Sequence, residues 1–337
     1  MIKTIKSIIF LAIAAVSVPS YAAETITRTV CVWDIVGRGG PVVQAVEEFN
    51  LAAMEWGVQF KLEVYSSERI AVEQFRSKKC DAAFLSELRI RNFVKFTGSL
   101  YAVGAMPEEK HVRLMHQLLA SPQMADRMVD GPFEIAGIAP AGMVYVFVRD
   151  RTIDSLDKAV GRKVAVLGDD IYQQQMVELI GATPVTVTEA TAGSMFNNGA
   201  IDVLPAPAIA YNPLELYKGL EPDGGIINYP LAQISGQLII WHERFPKDFG
   251  QKSREFHYSN FDRVMKELET ANKAIDPKWW VEIPEADKAN YEKLMDDVRI
   301  EAVKVGYWDG EMIKLQRRVR CKFDPARAEC AKPRDAL

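Results

Sequence analysis

The chain has 337 residues, with 41 Lys and Arg against 45 Asp and Glu and 48% apolar residues. That length can bury more than one core, so two lobes of ordinary domain size are expected. A net charge of −4 without a basic cluster argues against a nucleic-acid partner, and 26% charged residues with 21 Gly and 17 Pro spread along the chain exclude collagen-like, low-complexity and disordered classes.

Lys3 and Lys6 precede an apolar run from Ile8 to Val16, and Ser20-Tyr21-Ala22 makes a small-x-small exit. This pattern predicts a cleavable secretory signal over residues 1–22. The run falls short of the ~20 apolar residues that span a bilayer, so no membrane insertion of the mature chain is expected. Losing both lysines takes the charge from −4 to −6. A periplasm-like compartment follows, and Cys31, Cys80, Cys321 and Cys330 agree with it in number. Three pairings are possible. Pairs 31–80 and 321–330 fit best: Cys31 and Cys80 each lead into a strand-like segment, and Cys321 and Cys330 can close a short tail loop. Four buried free thiols are the alternative. No Cys-x-x-Cys occurs and the four histidines are scattered, which argues against a metal site.

In chain order, a strand is predicted over 27–34, then Gly37-Arg38-Gly39-Gly40-Pro41 and a helix over 42–54. Residues 59–65 alternate as a half-buried strand, Ser66-Ser67-Glu68 opens a helix, and 80–86 make a third strand. Strand–helix–strand–helix–strand with short connections is the pattern of a parallel α/β sheet, with its three strands as neighbours. Helices are predicted over 87–96 and 108–128, and a strongly apolar strand over 143–148. A second α/β unit follows, with strands at 163–167, 184–187 and 200–205, and helices at 154–160, 172–180 and 193–198. Pro205-Ala206-Pro207 is expected to break regular structure. An apolar stretch over 231–242 returns toward the first lobe, and the last third reads as helices over 253–274 and 285–306. Trp279-Trp280, between those helices, is expected to pack them on lobe 1. The lobes are therefore placed at 23–144 plus 241–337 and at 145–240, with a cleft between.

Open α/β sheets bind ligands beyond the carboxyl ends of their strands. Those ends carry Trp33, Asp34 and Arg38; Ser66; Ser86, Glu87 and Arg89; Asp169, Asp170 and Tyr172; and Ala206 and Tyr211. The glycine-rich start around Arg38 could offer backbone N–H groups and a guanidinium to an anion; an exposed turn is the plainer reading. Ser66-Ser67-Glu68 and Asp169-Asp170 also suit helix starts as caps. Trp33 and Tyr211 are the leading aromatic candidates for a cleft wall.

Residues 147–213 resemble the solute receptors of tripartite ATP-independent periplasmic (TRAP) transporters. Arg151-Thr-Ile-Asp-Ser-Leu-Asp-Lys-Ala-Val-Gly-Arg-Lys-Val-Ala-Val, Gly181-Ala-Thr-Pro-Val and Asn198-Gly-Ala-Ile-Asp carry the likeness. The chain is also similar to a divergent set of solute-binding proteins, some labelled accessory components of resistance–nodulation–division drug efflux. The resemblance implies a two-lobe, type II periplasmic-binding-protein-like α/β fold that closes on a small molecule and serves membrane transporter subunits, without a cofactor. One departure stands out. Where those receptors carry an arginine that clamps a carboxylate, this chain has Ala165, which cannot donate a hydrogen bond. The polar residues usual after the last motif are likewise replaced by Leu204-Pro205-Ala206-Pro207. No nucleophile elbow, zinc-protease motif or nucleotide fingerprint is present, so an enzyme is not expected. The expected function is a periplasmic solute-binding receptor. The alternative is a periplasmic accessory of an efflux system without a small-molecule substrate.

Overall fold

Successive residues of the first strand point into opposite layers, as the two-residue period of a strand requires. Val30 and Val32 join Val43, Val46 and Phe49 of the first helix in one cluster, whereas Cys31 joins Ala71, Val72 and Phe75 of the second helix in another. A strand covered on both faces reads as a continuous apolar run, and Val30, Cys31 and Val32 are all fully buried.

The computed structural model describes residues 25–168 and 170–334. Its strands are β1 (Ile26–Trp33), β2 (Val58–Tyr65), β3 (Ala82–Ser86), β4 (Val129–Asp130), β5 (Phe133–Val148), β6 (Lys163–Leu167), β7 (Thr183–Val187), β8 (Val203–Pro207), β9 (Gly225–Trp241) and β10 (Trp280–Val281). Helices α1 (Pro41–Glu55), α2 (Glu68–Arg76), α3 (Glu87–Ile90), α4 (Lys95–Gly98) and α5 (Glu109–Ala120) belong to the first half. They are followed by α6 (Leu156–Ala159), α7 (Ile171–Leu179), α8 (Ala192–Asn197) and α9 (Tyr217–Leu220). The last third contributes α10 (Phe249–Ser259), α11 (Phe261–Lys273), α12 (Glu285–Lys304), α13 (Gly310–Phe323) and α14 (Ala328–Ala331). The sheet runs β2-β1-β3-β9-β5-β8-β6-β7, with β10 on β9 and β4 on β5.

The two lobes share β5 and β9, of 16 and 17 residues. Ile135, Ile138 and Ile239 lie in the core of lobe 1, whereas Phe147 and Ile226 lie in that of lobe 2. Both strands therefore run from one core to the other. Their antiparallel register shifts three times, between Ile135 and Gly137, Pro140 and Gly142, and Val144 and Val146. These irregularities bend a strand locally. They also explain why only 143–148 and 231–242 stand out in the sequence: each shift interrupts the alternation by which a long strand is read.

Other expectations are corrected by breakers. In place of the one helix expected over 87–96 there are two short ones, α3 and α4, the second running on to Gly98. The helix expected over 108–128 ends at Ala120, with a 3-10 turn over Pro122–Met128, and 253–274 divides at Asn260. Pro205-Ala206-Pro207 lies inside β8 rather than ending it, opposite Val144, Tyr145 and Val146. The prolines are tolerated because β8 pairs with β6 only at Val203, which leaves that edge without a ladder needing their N–H groups. Trp279 and Trp280 pack on lobe 2, against the Phe196–Tyr211 cluster and Tyr145, not on lobe 1.

Cys31–Cys80 and Cys321–Cys330 are both disulfides. The first ties β1 to Cys80, two residues before its parallel neighbour β3, where Val30 faces Ala82. Closing a separation of 49 residues is worth about 4 kcal/mol in the chain-entropy account. The second sets Glu329 beside the buried Arg320, whose guanidinium it grips with both oxygens at 2.7 and 2.6 Å. Among the described residues no helix is long and apolar enough to cross a membrane. The expected signal, residues 1–22, lies outside the described residues.

Candidate functional site

The carboxyl ends of β3 and β6 face each other across the cleft; β3 runs directly into α3, and α7 begins four residues after the last residue of β6. From lobe 1 come Leu88, Arg89, Arg91 and Asn92, and from lobe 2 come Leu167 and Asp170. Together they line a cavity of about 50 Å³. Its wall is mainly charged and polar.

Arg89 ties three elements. Its Nη2 donates to Glu189 Oε1, in the loop after β7, at 2.9 Å, and its Nε lies 3.4 Å from Glu68 Oε2 at the start of α2. Glu68 in turn accepts the Ser86 N–H at 2.6 Å. Beside it, Arg91 donates to the Tyr101 hydroxyl, stacks 3.7 Å over the Tyr307 ring and stands 3.8 Å from Asp170 Oδ2. Tyr307 donates to that same Asp170 oxygen at 2.5 Å and shares a 2.7 Å hydrogen bond with Tyr101. Asp170 Oδ1 accepts from Gln173 N at 3.1 Å and so caps α7. A segment from the C-terminal third thus completes the site.

Two buried carboxyls underlie it. Burial pushes Glu68 up to about 7, against the bonds from Ser86 and the charge of Arg89 that favour its anion. Burial pushes Glu87 up to about 8, although the Ser235 N–H and hydroxyl donate to its Oε2 at 2.7 and 3.0 Å. Ser235 belongs to β9, one of the two connecting strands, so this carboxyl sits against a strand that both lobes share.

The structure spreads the sequence candidates over different tasks. Ser86 and Glu87 stand at this β3–α3 corner with Arg89. Trp33 is half-buried at the end of β1, and its indole N–H is buried without a partner. Arg38 and Ser66 are exposed on the loops after β1 and β2. Asp34 has a task other than the solute contact expected of it. Its carboxylate accepts Val36 N at 2.9 Å, Val42 N at 2.8 Å and Val43 N at 3.2 Å. It thereby fills the anion position at the start of α1, where Pro41 has no N–H, and those two amides are not open to a solute. The backbone needs Gly40 there, because a Cβ would come within 2.0 Å of that carboxylate. Tyr172 is buried against the C-terminal segment, stacked 4.3 Å on Tyr307 and donating to Val298 O at 3.1 Å. Ala206 and Tyr211 are buried in the lobe 2 core with Phe196 and Trp279. Ala165 lies in that core too, opposite Val185 of β7. Asp169 lies outside the described residues.

Sequence reasoning missed Arg91, Tyr101, Glu189 and Tyr307. Glu189 follows a strand, which is a usable signal; Tyr307 follows a helix far down the chain, and only the fold brings it here. Among the described residues no cluster of three or more His, Cys, Asp or Glu could hold a metal ion.

Known proteins share this architecture. A TRAP periplasmic solute-binding protein from Desulfovibrio salexigens, with bound orotic acid, superposes with a TM-score of 0.72 at 15% identity, over 88% of this chain and 99% of its own. The probable solute-binding protein AdeT1 of Acinetobacter baumannii is 42% identical over 299 residues, 89% of this chain and 98% of its own length. The probable solute-binding protein AdeT2 of the same organism is 29% identical over 233 residues, 69% of this chain and 98% of its own. The family model described as solute-binding protein AdeT 1/2 matches residues 21–335, and this chain belongs to that family.

Proposed function

We propose that the protein is exported to the periplasm, takes a small solute into the cleft and presents it to a membrane transporter. In this reading residues 1–22 are removed. Lobe 1 is built mainly from 23–144 with 241–337 and lobe 2 mainly from 145–240, with the lobe 1 end of β9 around Ile239 and the Trp279-Trp280 segment crossing that division, and no reaction is catalysed. One observation carries the proposal: two cores are joined by the continuous strands β5 and β9, with a polar cavity between them at strand carboxyl ends. Two shared strands with bulged register suit a hinge. Membership of a solute-binding family supports the same reading.

The role of Ala165 bears on the solute. A buried alanine cannot supply the guanidinium that the resemblance leads one to expect, so the charges available to a solute here are those of Arg89, Arg91 and the acids around them. The same residue favours the second reading, a periplasmic accessory that serves an efflux assembly without a small-molecule solute.

A thermal-shift screen separates the two. Protein purified from the periplasm is melted with carboxylates, amino acids, sugars, polyamines and aminoglycosides. A solute at 100 times its Kd stabilises the fold by about 2.7 kcal/mol, a clear rise in melting temperature. A hit supports the receptor. A folded protein that responds to none of these classes favours the accessory.

A further inference from the structure

The cavity of about 50 Å³ has room for only a few waters, which need roughly 10–15 Å³ of such space each, whereas sites for small organic ligands run to roughly 300 Å³ and more. What keeps it small is a set of charged contacts that the protein makes with itself. Arg89 Nη2 reaches from lobe 1 to Glu189 of lobe 2 at 2.9 Å, with only 12% of the Arg89 side chain and 21% of the Glu189 side chain exposed. Glu68, almost wholly buried, holds the same guanidinium from below at 3.4 Å, so the arginine is aimed at Glu189 by its own lobe. Glu189 lies in the short loop between β7 and α8, where Thr188 N and Thr191 Oγ1 hydrogen-bond at 2.9 Å and give the loop a fixed shape. Two preset halves of an ion pair therefore meet across the cleft.

We propose that Glu189 on Arg89 is an interlobe latch, which closes the cleft with the protein's own charges and must release before a solute can enter. A side-chain carboxylate of lobe 2 then does what a bound solute would otherwise do: it gives the arginine of lobe 1 a partner on the far side. The closed form needs no solute, and a solute binds with an affinity lowered by the fraction of molecules that are unlatched. The latch builds on the cleft reading above, but its test uses no solute. A failed solute screen leaves it standing, and a failed latch leaves the receptor reading standing.

The test is small-angle scattering on protein purified from the periplasm, wild type and Glu189→Gln. The glutamine keeps the size of the side chain and removes the charge. The closed pair is partly buried and little screened, but in an open form both charges face water, where a screening length that falls from ~10 Å in 0.1 M salt to ~3 Å in 1 M favours their separation. Wild type is expected to be compact in low salt and to expand towards 1 M. Glu189→Gln is expected to show the larger radius of gyration already in low salt and to change little with added salt. A folded Glu189→Gln protein with the wild-type radius in low salt overturns the latch. Should circular dichroism show the variant unfolded, the wild-type series decides alone, and a radius independent of salt overturns it.

Discussion

Asp34 accepts three backbone N–H groups, two from the first turn of α1 and one from its own loop. A capping side chain is worth about 1 kcal/mol and up to ~2. Asp34 is 2% exposed, so its loss would leave buried amides unpaired, and Asp34→Ala should destabilise the protein by about 2 kcal/mol or somewhat more. Urea unfolding followed by circular dichroism measures this; a change under half a kcal/mol would mean that water replaces the carboxylate at no cost. The same residue shows where local reading runs out. The sequence places an acid at a strand end, which suits a ligand contact and a helix cap equally. Only the path of Gly37–Gly40, which turns α1 back over β1, decides for the cap.

At the scale of elements, the short strand–helix units were legible and the long connecting strands were not. β1, β2 and β3 each carry their own apolar pattern, and the parallel neighbours β1 and β3 bring Cys31 to Cys80. In β5 and β9 the bulges shift the alternation, so only their most apolar stretches could be read. The proline run in β8 was misread because a proline's effect depends on which edge of the strand is paired. The C-terminal tail is a further unit that packing alone reveals. Arg320 is 1% exposed and bound by Glu329, and Arg320 Nη1 also donates to Ala105 O at 2.8 Å, fastening the tail to lobe 1. Hydrogen bonds and charge from Arg320 outweigh the cost of burial and hold the Glu329 carboxyl down at about 2. Removing one partner of a buried pair costs about 3–5 kcal/mol, and the partial exposure of Glu329 places Glu329→Gln near the lower end. A melting temperature equal to wild type in that variant would show that Arg320 finds other partners.

For the whole molecule, four buried groups set opposing pH dependences. Burial lowers His116 and His257 to about 4, so each stays neutral in the fold and charges more readily when unfolded. Their contribution falls as pH drops from about 6.5 to 4. Glu68 and Glu87 behave in the opposite sense. Raised to about 7 and about 8, they hold protons in the fold that the unfolded chain has released, so stability falls as pH climbs from about 4.5 through 8. Between about 4.5 and 6.5 two histidines and two glutamates nearly cancel. Stability should therefore be highest in that window and decline on both sides. Glu87→Gln removes one of the two alkaline contributions, so its decline above pH 6.5 should be shallower and its optimum should move toward neutrality. Melting temperatures across pH 4–9 check this, and a variant whose curve runs parallel to wild type would contradict it.

The two-lobe arrangement was legible because each lobe repeats the same strand–helix pattern. Its closing contacts were not, because Glu189 and Tyr307 meet lobe 1 only through the fold. The proposed solute site is the place where those contacts meet. Asn92 is exposed at the cavity wall, and a tryptophan there would fill the space between the lobes without entering either core. The most direct measurement is calorimetric titration of a compound that stabilises the protein in the screen, into wild type and into Asn92→Trp. At least a tenfold loss of affinity is expected in a variant whose melting temperature is unchanged. An unaltered affinity would place the solute outside the cleft and contradict the proposed site.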